Sequence, residues 1–209
     1  MIRKFLLAAL LASATTAQAH EVWIERDGTG PARIYLGEPG EPVPEGGDPE
    51  FAKLKAPKLI NHNGAALVRK AGYLEVAVPA GDVRAWDDAV FEPWGEAGKK
   101  ESVVYYARAG RSETRAAMPF EIAPVTAHGD RFVVLRDGKP VAGARVTVIT
   151  PDKWSKGFIA DASGVLRVPV REKGRYLLSA TQKDEGAIAH PSGTLAALHR
   201  IATTSFVVE

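Results

Sequence analysis

Apolar and polar residues alternate along several short segments in the second half of the chain. Residues 144–150 (ARVTVIT) and 165–170 (VLRVPV) change character at almost every position, which is the period of a strand with one buried face. Residues 131–136 (RFVVLR) run into Asp137-Gly138, a dipeptide typical of a tight β-hairpin. Further strands are predicted at residues 120–125, 157–161, 176–180 and 201–208. Short strands at this regular spacing predict an antiparallel β-sandwich.

The first half of the chain is less regular but carries similar strand signals. Strands are predicted at residues 32–36, 73–78 and 102–109, with shorter ones near Leu59 and Val68. Residues 38–48 are rich in Pro, Gly and acidic side chains, which predicts an exposed loop. A short helix is expected directly after it, at residues 49–54.

Together these patterns predict an all-β protein with two β-sandwich-like domains. A polar run at residues 111–115 ends shortly before the strand that begins at Phe120, so we expect the domain boundary near residues 117–119. This gives an irregular N-terminal β domain at residues 20–118 and an antiparallel β-sandwich at residues 119–209.

The first nineteen residues have the pattern of a secretory signal peptide. Arg3 and Lys4 precede an apolar run at residues 5–14, and Ala17 and Ala19 form an A-x-A cleavage motif. The alternative is an N-terminal membrane anchor, but the apolar run is too short to span a bilayer. We therefore expect an exported protein, cleaved after Ala19, whose mature chain begins at His20.

Composition narrows the possible chemistry. The chain contains no cysteine, so any site must use histidine, carboxylate, amine or backbone groups. The full sequence has 27 Lys and Arg against 25 Asp and Glu, and removal of the leader takes away two cations and balances the charges. Basic patches with interleaved aromatic residues are not evident, so we expect no nucleic-acid binding.

A histidine at the mature N-terminus has a chemistry that an internal histidine lacks. The α-amine of His20 would have a pKa of about 7.7–8.0, so it can lose its proton for metal binding near neutral pH. The amine and Nδ1 of the same residue can then close a chelate ring on one metal ion. One further imidazole completes a T-shaped set of three nitrogens, which suits Cu(II), Ni(II) and related ions.

The second metal ligand must come from another part of the chain. The sequence contains no HxH, HxxxH or HExxH pair, and the ordinary role of each remaining histidine is that of a solvated loop residue. His199 and His190 lie shortly before the last predicted strand, and His128 lies near the predicted domain junction. Each of the three is a candidate partner for His20.

Three segments carry a resemblance to a known family. They are AHEVWIE at residues 19–25, DGKPVAGARVTV at 137–148 with ADASG at 160–164, and LHRIATT at 198–204. The whole chain resembles an exported bacterial family of unassigned function, which is grouped with the periplasmic component of cobalt and nickel uptake systems (NikM-like). The second segment also resembles the immunoglobulin-like, carboxypeptidase-regulatory type of β-sandwich.

This resemblance implies a periplasmic protein that binds a transition-metal ion or a metal complex for uptake or delivery. It implies His20 as a ligand and, more weakly, His199. The partner would be a membrane metal transporter or an outer-membrane receptor encoded separately. Nickel-uptake components that bind through a terminal motif have histidine at the second position, whereas here it would be first, so cobalt, copper and iron stay open beside nickel.

Two other functions are compatible with the sequence. The chain could be a structural or carbohydrate-binding β-sandwich in which His20 is incidental, although its four tryptophans are scattered. It could also be a copper-dependent oxidative enzyme that cleaves polysaccharides, since such enzymes begin with histidine as well. The sequence has no GxSxG, P-loop or GxGxxG motif, and we expect no enzymatic activity.

Overall fold

The computed structural model describes residues 20–209, and the predicted signal peptide lies outside the described residues. The described chain forms strands joined by turns, with one short 3-10 helix at Pro49–Lys53. The strands are β1 (Glu21–Arg26), β2 (Ala32–Gly37), β3 (Lys58–Leu59), β4 (Val68–Arg69), β5 (Leu74–Val76), β6 (Val83–Asp87), β7 (Glu101–Ala109), β8 (Phe120–Pro124), β9 (Arg131–Arg136), β10 (Lys139–Pro140), β11 (Arg145–Ile149), β12 (Ser155–Ile159), β13 (Val165–Arg167), β14 (Gly174–His190) and β15 (Gly193–Val208). The prediction of an all-β fold is confirmed.

The strands form three sheets. The largest has seven strands in the order β12-β11-β14-β15-β7-β6-β3, and β15 runs parallel to β7 within it. A second sheet has the order β1-β2-β5-β4. In the third, β9 lies between β10 and β13 and also pairs with β8. The residues 20–209 contain no helix with the length and hydrophobicity that a membrane span requires.

The seven-stranded sheet is covered on both faces. Val104 and Tyr106 of β7 pack into a core with Phe120 and Phe132 of the third sheet. Val103 and Tyr105, which alternate with them along β7, pack into a second core with the strands of the β1 sheet. Because both faces are buried, β7 reads as a nearly continuous apolar run in the sequence.

Strands from both sides of residues 117–119 meet in the seven-stranded sheet, since β7 pairs with β15.

A buried ionic network also joins the segments on the two sides of residues 117–119. Arg108 of β7 donates to Glu121 of β8 at 2.7 Å and also binds Asp82, and neither Arg108 nor Glu121 is exposed to solvent. Although burial opposes it, hydrogen bonds from Ser112 and the charge of Arg108 lower the pKa of Asp82. The proposed domain boundary and the immunoglobulin-like type of the second domain stay predictions.

Most predicted strands lie within a few residues of the observed ones, but the last hairpin differs. The sequence predicts the last strand from residue 201, whereas β15 begins at Gly193, so His199 lies inside a strand and not in the loop before it. His190 is likewise the last residue of β14. The sequence around residue 193–200 lacks a period-two pattern, and the strand forms there through pairing with β14 and then β7. Trp23 is buried, at 3 % exposure.

Candidate functional site

A pocket of about 330 Å³ opens at the end of the molecule where β1 and β7 begin. Two of the five histidines line it, His20 and His199. Most of the remaining lining is apolar or aromatic, from Phe91, Trp94, Tyr105 and Ile201.

Strand register explains why His199 lies in this pocket. His199 of β15 pairs with Val103 of β7, and Ile201, two residues later, pairs with Tyr105. Residues two apart on a strand, and residues directly paired across strands, present their side chains on the same face of a sheet. The parallel β7–β15 pair therefore presents His199 together with the apolar side chains that form the floor of the pocket.

The position of His20 follows from the way β1 lies over β15. Thr203 Oγ1 donates to the carbonyl of Val22 at 2.7 Å, and Ser205 Oγ donates to the carbonyl of Ile24 in the same register. Each step of two residues along β1 therefore matches a step of two along β15. Continued backwards, this register brings His20 to the level of Ile201, beside the pocket.

A carboxylate holds the His199 ring. His199 Nε2 lies 2.6 Å from Glu101 Oε2, and Lys183 Nζ donates to the other oxygen at 3.1 Å. The hydrogen bond with His199 and then that with Lys183 lower the pKa of Glu101. The Trp94 ring stacks on the imidazole with centroids 5.7 Å apart and planes at 30°. Mutual backbone hydrogen bonds between Trp94 and Glu101 place that indole.

A second carboxylate holds the His20 ring. His20 Nε2 lies 3.1 Å from Asp48 Oδ1, and the same oxygen accepts a hydrogen bond from the backbone N–H of Glu50 at 2.7 Å. Asp48 is the N-cap of the 3-10 helix, so the helix start fixes the carboxylate against the imidazole. Phe91 approaches His20 edge-on, with centroids 6.3 Å apart.

The two imidazoles therefore share one arrangement. Each directs Nε2 to a carboxylate, while Nδ1 makes no hydrogen bond within the described part of the chain. A neutral ring that donates its Nε2 proton to a carboxylate keeps a lone pair on Nδ1, and metal-binding histidines are commonly oriented in this way. Both residues thus have one nitrogen suited to a metal ion.

The neighbouring Glu21 lies in an unusual environment. One carboxylate oxygen accepts a hydrogen bond from Ser179 Oγ at 2.7 Å, and the other is buried without a partner among residues 20–209. Burial raises the pKa of Glu21 to about 7, and the hydrogen bond from Ser179 opposes this only in part. The carboxyl group therefore changes charge close to neutral pH.

Most of the chain matches one protein family. The family model described as a domain of unknown function, DUF4198, matches residues 17–184. The chain belongs to the DUF4198 family. No curated protein and no solved structure matches the chain significantly. The DUF4198 match includes His20 and Trp94 and ends before His199.

The other two histidine candidates of this DUF4198 protein lie elsewhere. His190 is at the tip of the β14–β15 hairpin, where its Nδ1 is 2.7 Å from Ser192 Oγ. His128 has a left-handed backbone conformation, with φ of 59°, and lines a different cavity with Arg111 and Phe206 at the far end of β15. Only His199 joins His20 in one pocket.

Four residues of the pocket region were not singled out from the sequence: Asp48, Phe91, Trp94 and Glu101. Asp48 directly precedes Pro49 and Glu50, and this helix-start signal could have indicated it. Glu101 meets His199 only through the pairing of β7 with β15, which no local pattern encodes. Within the described range, no three His, Cys, Asp or Glu side chains are grouped closely enough to hold a metal ion.

Proposed function

We propose that this DUF4198 protein is a periplasmic transition-metal-binding protein that assists uptake or delivery of copper, nickel or cobalt. The metal would be held by the amine and Nδ1 of His20, as the first residue of the mature chain, and by the imidazole of His199. The observation that supports this proposal is that two imidazoles line one pocket, each with Nε2 on its own carboxylate.

The ligand set needs only two side chains. The amine and Nδ1 of one terminal histidine close a chelate ring, and the second imidazole supplies the third nitrogen. Nitrogen ligands of this kind suit divalent ions late in the first transition row, with copper bound most tightly. Asp48 and Glu101 would keep each ring in the tautomer that leaves Nδ1 unprotonated.

The chemistry links the site to export. The amine of His20 exists only after cleavage following Ala19, so the complete ligand set would form once the leader has been removed. A metal collected in the periplasm would then be passed to a membrane transporter or an outer-membrane receptor made by a separate chain. In this proposal the protein binds and delivers the metal ion and catalyses no reaction.

Metal titration of the exported protein tests this proposal. Purified protein, with His20 confirmed as its first residue by mass spectrometry, is titrated with Cu(II), Ni(II) and Co(II) by calorimetry. We expect one ion per chain, and a loss of at least tenfold in affinity when His199 is changed to Ala. His128→Ala is the matched control and should leave the affinity unchanged.

A second variant carries a Gly-Ser-Gly-Ser extension before His20, which moves the amine away from the imidazole. A single added residue would not serve, because histidine at the second position forms a chelate of its own. The extension should weaken binding as strongly as the loss of His199. Equal, weak binding by the wild type, the extended protein and His199→Ala would contradict the proposal.

A further inference from the structure

The pocket is larger than a metal ion requires. Its volume of about 330 Å³ lies in the range of small-molecule sites, which begins at roughly 300 Å³. Metal–nitrogen bonds are only about 2 Å long, so an ion held by His20 and His199 would fill a small part of this space. The remainder must hold water or another ligand.

The walls are poorly suited to the water shell of an ion. Phe91, Trp94, Val103, Tyr105 and Ile201 provide most of the surface, and few polar groups other than the two histidines are present. Waters bound to an ion need hydrogen-bond acceptors around them, and apolar walls do not supply these. An organic ligand with a flat apolar body would match this surface better.

The Trp94 indole offers a flat surface to an aromatic ligand. Trp94 stacks on the His199 imidazole with the two planes at 30°, and 43 % of its surface is exposed although it belongs to the pocket wall. The indole is larger than the imidazole on which it stacks. Its exposed part offers a flat apolar surface on which a second planar group can stack.

The coordination chemistry leaves room for this group. The amine and two imidazoles occupy three positions in a T-shaped arrangement, whereas Cu(II) and Ni(II) accept four or more donors. A bidentate chelator can complete the coordination of the ion without displacing any of the three nitrogens.

We infer that the pocket takes up its metal ion as a complex with a small planar aromatic chelator, which stacks on Trp94 while His20 and His199 bind the ion. This inference rests on the proposed metal site and adds the class of the cargo. It makes Trp94 a specificity residue for the chelator.

Two matched chelators test the inference. Picolinate and glycinate both bind metals through one nitrogen and one carboxylate oxygen, but only picolinate has an aromatic ring. Each is titrated into the 1:1 copper–protein complex by calorimetry. Copper, chelator and protein are then quantified after equilibrium dialysis. We expect a 1:1:1 complex with picolinate that is roughly tenfold tighter than the one with glycinate.

The Trp94→Leu variant should reduce the preference for picolinate over glycinate to near one. The matched control Trp154→Leu removes an exposed tryptophan outside the pocket, at 56 % exposure, and should preserve the full preference. Because each preference is a ratio within one variant, a general change in copper affinity does not affect it.

Several results would overturn the inference. The inference is wrong if the wild type binds the two chelators equally, or if picolinate removes copper from the protein. It is also wrong if Trp94→Leu keeps the preference for picolinate, or if picolinate binds as tightly without copper as with it. If copper alone binds at His20 and no ternary complex forms, only this inference fails. If copper alone does not bind, the proposed function fails first.

Discussion

At the scale of single residues, each imidazole of the pocket depends on one carboxylate. Glu101 accepts from both His199 and Lys183, and Asp48 accepts from both His20 and a helix N–H. Carboxylates in such positions orient the ring and raise the basicity of the coordinating nitrogen. Asp48 and Glu101 are therefore positioning residues for the two imidazoles.

Glu101→Gln keeps the shape of the side chain but removes the negative charge that faces His199. We expect copper affinity to fall roughly 10–100-fold, the usual effect of losing an outer carboxylate partner. Calorimetric titration near neutral pH measures this. Glu92→Gln, on the exposed loop next to Phe91, is the control and should bind copper as the wild type does. Unchanged affinity in Glu101→Gln would show that the carboxylate does not support the site.

The buried Glu21 should make the stability of the protein depend on pH. Its pKa is raised from the ordinary 4.5 to about 7 in the folded protein, so the folded state binds more protons than the unfolded state between these values. The free energy of unfolding therefore falls as pH rises from 4.5 through 7, by up to about 3 kcal/mol from this residue alone.

Glu21→Gln removes this titration. Urea unfolding at a series of pH values should show the variant more stable than the wild type at pH 8 by up to about 3 kcal/mol. The advantage should shrink towards pH 4. The exposed control Glu96→Gln should give no pH-dependent difference. A constant difference between Glu21→Gln and wild type across this range would disprove the assignment.

At the scale of elements, the buried ionic network on β6, β7 and β8 is the most sensitive feature. Arg108 and Glu121 are fully buried, and Glu121 also accepts from Arg84 at 2.8 Å. Removing one partner of a buried pair leaves a desolvated charge behind.

Arg108→Met should therefore destabilise the fold by about 3–5 kcal/mol, as judged by urea unfolding followed by circular dichroism. Arg167→Met is the matched control, because Arg167 pairs with Asp130 at an exposed position. Loss of this exposed ion pair should lower the free energy of unfolding by less than about 1 kcal/mol. If both variants lose a similar free energy of unfolding, the buried network stabilises the fold no more than an exposed ion pair does.

The strands themselves show what local pattern could and could not predict. β9 and β11 have clear period-two or hairpin signals and lie where the sequence predicted them. The first half of β15 has neither signal, so the sequence predicts a start at residue 201, eight residues after the observed one, and places His199 in a loop. Its strand conformation comes from partners on β14 and β7, which lie far away in the sequence.

At the scale of the whole molecule, the pocket joins the two ends of the described chain. His20 precedes β1, His199 lies in the last strand, and the hydrogen bonds from Thr203 and Ser205 to β1 bring them together. The sequence alone indicated both residues as candidates. It could not choose among His199, His190 and His128, because that choice depends on how β1 packs on the seven-stranded sheet.

The most direct test of the central claim is the count of nitrogen donors on bound copper. Electron paramagnetic resonance of the Cu(II) complex, with and without ¹⁵N-labelled histidine, is recorded for protein that begins at His20. We expect three nitrogens on copper in the wild type, two in His199→Ala, and loss of the amine nitrogen in the extended protein. A spectrum that is the same in all three proteins would contradict a site built from His20 and His199.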